Sequence, residues 1–197
     1  MWSTGDRRAG KRIQPLRLLS SEYVVRLKMR IAQVAPLYES VPPKLYGGTE
    51  RIVSYLTEEL VRQKQNVTLF GSGDSVTKAR LVPITEQALR LQGSRIQDPL
   101  AHHIRLVELV LQEADQFDIL HFHLDHLHFP LVRRSQSVCV TTLHGRLDIA
   151  DLAPLFQEYP EMPVVSISDS QREPLGWLNW CGTVYHGSHS IAVRFPR

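Results

Sequence analysis

The chain has 197 residues, 43% hydrophobic and 22% charged, a balance that excludes a disordered or fibrous polypeptide and suits one globular domain with a sizeable core. No run of about 18 apolar residues occurs, so no membrane span is expected; Cys139 and Cys181 are too few for a disulfide framework and lack zinc spacing, which fits a reducing, cytoplasmic setting. Seven basic residues against two acidic ones give residues 1–28 a net +5, which leaves −2 of the total +3 for the rest and argues against a nucleic-acid-binding domain.

Residues 1–28 read as a basic, disordered extension, and "MRIAQVAPL" as the start of a folded unit over 29–187. Short apolar runs rich in β-branched and aromatic residues predict strands at 30–35, 66–70, 80–84, 117–123, 137–144, 163–168 and 182–187. Between them, residues 49–64 place Ile52, Val53, Leu56 and Leu60 on one helical face, with Thr49 as N-cap. Residues 97–114 do the same with Leu100, Ile104, Val107 and Leu111, opened by Asp98-Pro99 as N-cap and first helical residue. Shorter helices are expected over 148–159 and 169–178, the latter interrupted at Pro174. Residues 188–197 read as an irregular tail. Alternating strands and helices predict an α/β fold, a Rossmann-like open parallel sheet flanked by helices.

Ligands of such a sheet bind beyond the carboxyl ends of its strands. Three segments sit there: "PLYESVPPKLYGGTE" after the first strand, "HLDHLHFP" after the fourth long run, and "HGRLD" after the fifth. The first is about thirteen residues long, more than an ordinary strand-to-helix connection. It ends at Gly47-Gly48, where glycine permits positive φ and close ligand approach at a helix N-terminus. It is neither a G-x-G-x-x-G nor a P-loop, so neither dinucleotide nor ATP binding follows. Four of the nine histidines, His121, His123, His126 and His128, fall within eight positions. Strand alternation sends His121 and His123 to one face. His121, His123, Asp125 and His126 spell H-x-H-x-D-H, which opens the alternative of a metal-dependent hydrolase in an antiparallel sandwich.

"LYGGTERIVSYLTEELVRQKQNVTLFGSGDS", "FDILHFHLD", "VTTLHGRL", "VVSISDSQR" and "TVYHG" occur in that order. With them the chain resembles, from about Met29 to Gly187, the N-terminal half of a family-4-type glycosyltransferase of GT-B fold. The resemblance implies retaining transfer of a hexosyl group from a nucleotide-sugar donor to an acceptor hydroxyl, without a cofactor or an obligatory metal. It places Gly47 and Gly48 near the donor phosphates and His123 at the transferred sugar as the catalytic histidine. His121 supports it from behind, His144 and Gly145 join the same rim, and Ser168 lies toward the acceptor. His126 and His128 are left without a direct role on a following turn or helix.

The same resemblance implies a C-terminal domain that holds most of the nucleotide contacts. The chain ends soon after "TVYHG", where that domain would begin, so it is expected to be inactive or nearly so alone, and to be a fragment, a degenerate gene product or a subunit completed by a separate chain. Its uncovered rim is then expected to expose Tyr38, Tyr46, Phe122 and Phe129. A non-catalytic carbohydrate- or partner-binding domain of the same fold is the third reading.

Overall fold

The computed structural model describes residues 28–186. The basic extension, Lys28 apart, and the tail expected over 188–197 lie outside the described residues. Seven strands carry the fold: β1 (Arg30–Val34), β2 (Asn66–Ser72), β3 (Arg80–Thr85), β4 (Ile119–Phe122), β5 (Cys139–Thr142), β6 (Val164–Ser166) and β7 (Trp180–Thr183). They form one sheet in the order β3-β2-β1-β4-β5-β6-β7, with every neighbouring pair parallel. This is the α/β, Rossmann-like fold that the alternation predicts. The winding reverses between β1 and β4, so the connections leaving these two strands diverge and open a crevice at their carboxyl ends.

Both faces of the sheet are covered. Helix α1 (Gly48–Arg62) packs Val53 onto Ala35 and Leu69 on one face. Helix α2 (Pro99–Gln112) packs Leu106, Val107 and Val110 onto Val34, Phe70, Leu120 and Phe122 on the other. The short helices α3 (Phe129–Val132), α4 (Leu152–Gln157) and α5 (Asp169–Arg172) close the second half of the sheet. There Phe129, Leu143, Phe156, Met162 and Val164 form a separate cluster. No described helix is long and apolar enough to cross a membrane. Both cysteines are free, and burial pushes the Cys139 thiol up to about 11, which leaves it unreactive.

Several local expectations are corrected. Helix α1 begins at Gly48 with Gly47 as N-cap and no side-chain cap, so Thr49 lies inside the helix. Helix α2 is rotated: its buried stripe is His103, Leu106, Val107 and Val110, while Leu100 and Ile104 are exposed. Apolar periodicity treats His103 as a surface residue, but two backbone partners satisfy it in the interior. Its Nδ1–H donates to Pro99 O at 2.7 Å and its Nε2 accepts Leu37 N–H at 3.1 Å. Phe122 and Phe129 are fully buried rather than exposed, Phe122 stacking on His128 at 3.9 Å. Strand β7 starts earlier, at Trp180, whose indole N–H is fixed by Leu175 O. Pro174 turns the end of α5 into a 3₁₀ turn over Glu173–Leu175.

The Asp98-Pro99 opening of α2 stands as expected, with the Asp98 carboxylate accepting the Leu100 and Ala101 N–H groups. Asp98→Ala should therefore lower stability by about 1 kcal/mol, read as a shift of the urea midpoint at unchanged slope.

Candidate functional site

The connection from β1 to α1 is long but tied down. Leu37 and Val41 are buried, Val41 N–H donates to Ser75 Oγ, and Leu89 and Arg90 donate their N–H groups to Leu37 O and Tyr38 O. Arg90 Nη1 donates to Tyr46 O at 2.7 Å and reaches Glu39 Oε1 at 3.4 Å, which clamps the segment before the glycines. Neither glycine has positive φ; Gly47, at −161°, is extended backbone. What Gly47 supplies is close approach, because a Cβ there would lie 2.8 Å from both Glu50 Oε2 and Pro43 Cβ. Around Gly48 the corresponding space is open.

On the other side of the crevice, parallel register sets Gln33 of β1 beside His121 of β4. Gln33, fully buried, joins two imidazoles. Its Oε1 can only accept, so His123 Nε2–H is the donor at 2.9 Å; its Nε2 donates to His121 Nδ1 at 3.3 Å. The remaining ring atoms follow. His121 Nε2–H donates to Thr142 Oγ1 at 2.8 Å, and His123 Nδ1 accepts from His144 Nε2–H at 2.9 Å. His144 Nδ1 is left as a buried acceptor without a partner. One glutamine thus sets the tautomers of three histidines.

These imidazoles are neutral at pH 7. Burial pushes His121 down to about 4 and His144 down to about 3, the latter helped by His186 and His121. His123 falls well below its ordinary value through burial first, then its imidazole neighbours. Across the crevice, burial raises the Glu50 carboxyl, with Glu39 adding to it against nearby N–H groups and Arg90.

Gly47, Gly48, His123 and His144 line one cleft of about 770 Å³. His121 lies one layer below, against Gln33 and Thr142. Gly145 sits exposed just outside, its carbonyl accepting from Gln171 Nε2 at 2.7 Å. Ser168 caps α5 by accepting Gln171 N–H at 3.1 Å and does not line the cleft. His126 lines the cleft, whereas His128 is buried beneath it, its Nε2–H on Thr141 Oγ1. Sequence reasoning missed Gln33, Arg90 and His186. Only Gln33 left a signal, as the single polar residue inside the apolar run "IAQVA".

The sheet is parallel throughout, not the antiparallel sandwich of the hydrolase alternative. Both nitrogens of His121 and of His123 are engaged by Gln33, Thr142 and His144. Asp125, in left-handed conformation at φ 49°, spends its carboxylate on the His144 N–H. Among the described residues no three His, Cys, Asp or Glu side chains converge as metal ligands. The turn instead ties β4 to the loop after β5, which sets His123 and His144 together.

An open parallel sheet with a long glycine-ended loop and a histidine rim at its crossover defines an α/β protein built around a ligand cleft. Residues 46–192 match Glycosyltransferase Family 4, and the chain belongs to that family. Its fold is similar to that of AviGT4, a glycosyltransferase involved in avilamycin A biosynthesis, at 23% identity and a TM-score of 0.51 over 75% of this chain and 38% of that one. It is also similar to a glycosyltransferase from Rickettsia africae ESF-5, at 16% identity and 0.53 over 82% and 44% respectively. The chain thus spans less than half the length of either. No curated protein sequence matches it.

Proposed function

We propose that this chain forms one wall of a retaining glycosyl-transfer site of GT-B type, moving a hexosyl group from a nucleotide-sugar to an acceptor hydroxyl. The observation that carries the reading is the meeting of the Gly47-Gly48 loop with the His123–His144 pair in a single cleft at the β1/β4 crossover. Breaking a sugar–phosphate bond leaves charge on the diphosphate while the ring becomes oxocarbenium-like. Preorganised donors lower the barrier for that change. Gly48 and Thr49 open the 15-residue helix α1 and line the cleft, so the positive end of the helix faces the leaving group.

The histidines fit the sugar better than the phosphates, because they are neutral. His123, the residue assigned to catalysis, makes two internal hydrogen bonds, so a sugar hydroxyl that engages its Nδ1 must displace His144. The two rings would then act as an exchangeable pair, with Gln33 fixing which nitrogen is free. His121 acts as a support, and Gly145 and Ser168 hold the rim through Gln171.

Charge sets the limit of this wall. Among the described residues the only arginines or lysines lining the cleft are Arg51 and Arg90, and Arg90 is occupied by Tyr46 O and Glu39. The rest of the diphosphate neutralisation would come from a facing domain, in the same or a separate chain. The 197-residue chain alone is therefore expected to bind nucleoside-diphosphate hexoses weakly and to transfer at background rate. Titrating the ¹⁵N-labelled chain with a panel of such donors should move the amides of residues 46–50, 123–126 and 144. Shifts confined to other surfaces would remove the reading, and vigorous transfer by the isolated chain would remove the need for a facing domain.

A further inference from the structure

The cleft has two unlike walls. Beside the histidines it is polar, but toward α1 and α2 it is lined by Tyr38, Tyr46, Ile52, Tyr55 and Leu100. Four of these five are among the exposed large hydrophobic residues: Tyr38 at 41%, Tyr46 at 85%, Tyr55 at 39% and Leu100 at 54%. Leu100 belongs to the stripe that helical periodicity assigns to the core, yet α2 is turned so that it faces the cleft.

The apolar wall is also built to hold its shape. His103, fixed by Pro99 O and Leu37 N–H, lies against the Tyr38 ring at 4.7 Å between centroids. The Arg90 guanidinium stands 5.7 Å from the same ring. Tyr38 is thus a positioned aromatic platform rather than a loose surface side chain. Ile52 and Tyr55, one turn apart on α1, continue the surface. Such a wall can hold a sugar only by its C–H face and the tyrosine hydroxyls, whereas a flat aromatic ring can stack on it over its whole area.

We propose, building on the glycosyl-transfer reading, that the acceptor served by this cleft is an alcohol or glycoside carrying an aromatic ring. The ring lies on Tyr38 with Tyr55 and Leu100 beside it, and the hydroxyl points to His123 and His144. The polar wall selects the hydroxyl-bearing part; the apolar wall selects what the hydroxyl is attached to.

Matched phenyl and methyl hexosides (gluco, galacto and manno) titrated calorimetrically into the 197-residue chain test this directly. The phenyl compound of at least one pair is expected to bind about tenfold tighter than its methyl partner. Saturation-transfer NMR should then show the strongest transfer at the phenyl protons. Leu100→Glu and Tyr55→Ser, both at exposed positions, should each erase most of the tenfold phenyl-over-methyl preference, read as the ratio of the two affinities in the same variant; circular dichroism checks that they fold. Equal binding of phenyl and methyl hexosides, or a preference that survives both substitutions, overturns the aromatic acceptor and leaves the sugar site intact. If neither compound of any pair binds, the acceptor assignment falls with the sugar site itself. Phenol binding as tightly as the phenyl hexosides would also overturn it, since the hydroxyl wall would then contribute nothing.

Discussion

Acidification is expected to unfold this protein between about pH 6 and pH 4, before most carboxylates are protonated. His121, His123, His128 and His144 all start from an ordinary value of 6.5 and are depressed by burial, His121 to about 4 and His128 and His144 to about 3. Above 6.5 both folded and unfolded chains hold these rings neutral, so no penalty exists. As the pH drops below 6.5 the unfolded chain takes up protons that the folded chain refuses, and stability is lost until the folded values are reached. Each group then removes about 1.4 kcal/mol per pH unit, so four acting together remove about 5. Glu50 works in the opposite sense: its raised value favours the folded state as the pH falls. One carboxyl does not offset four imidazoles. A domain with about 5–15 kcal/mol of stability has little left near pH 4.5.

Urea titrations at half-unit pH intervals measure the slope. His128→Gln keeps a donor within reach of Thr141 and should flatten it by about a quarter, even though the loss of the Phe122 stack lowers stability at pH 7. A slope below about 1.5 kcal/mol per pH unit across this window would show that the histidine interior is not closed in the way described.

The architecture was legible because parallel strands buried on both faces are short continuous apolar runs, and the seven expected runs became the seven strands, with ends shifted by a few residues. The order of strands in the sheet was not legible, since it depends on which crossover leaves which edge. Helix α2 shows how a sequence reading fails locally. Its periodicity was sound but its phase was wrong, because His103 is buried on the strength of bonds to Leu37 and Pro99, and only the first of these lies far away in sequence.

The site divides in the same manner. Gly47, Gly48, His123 and His144 could be nominated from the rule that ligands gather at strand ends. Arg90 could not, because nothing near it in sequence announces that it clamps Tyr46. Gln33 stood out as polar within an apolar strand, but its role needs partners 88 and 90 residues away. The tautomers of three rings depend on those distances. They are a property of the register between β1 and β4, not of any motif.

The two adjacent glycines should separate cleanly when each is given a methyl group. Gly47→Ala places a Cβ at 2.8 Å from Pro43 Cβ and Glu50 Oε2 and at 3.1 Å from Glu39 Cγ. The Glu50 carboxylate can swing away, but the Pro43 ring has little freedom, so the loop must shift at a cost of about 1–3 kcal/mol. That corresponds to a fall of several degrees in Tm, about 2–4 °C for each kcal/mol in a domain of this size. Gly48→Ala meets nothing within 4 Å, requires no positive φ, and sits at the first residue of α1. Alanine there should leave stability unchanged or raise it by up to about 1 kcal/mol, through lower entropy of the unfolded chain. Its methyl group nonetheless adds bulk to the lining of the cleft, beside the amides that the proposed function offers to a diphosphate. Nucleoside-diphosphate hexose binding should drop at least tenfold, because a ligand that needs backbone contact loses it when held about 1.5 Å away. Thermal melts and donor titrations on the same two variants give four numbers, and the pattern is the test. If Gly48→Ala binds donors as the parent does, the glycine loop closes a strand–helix unit and has no part in holding phosphate.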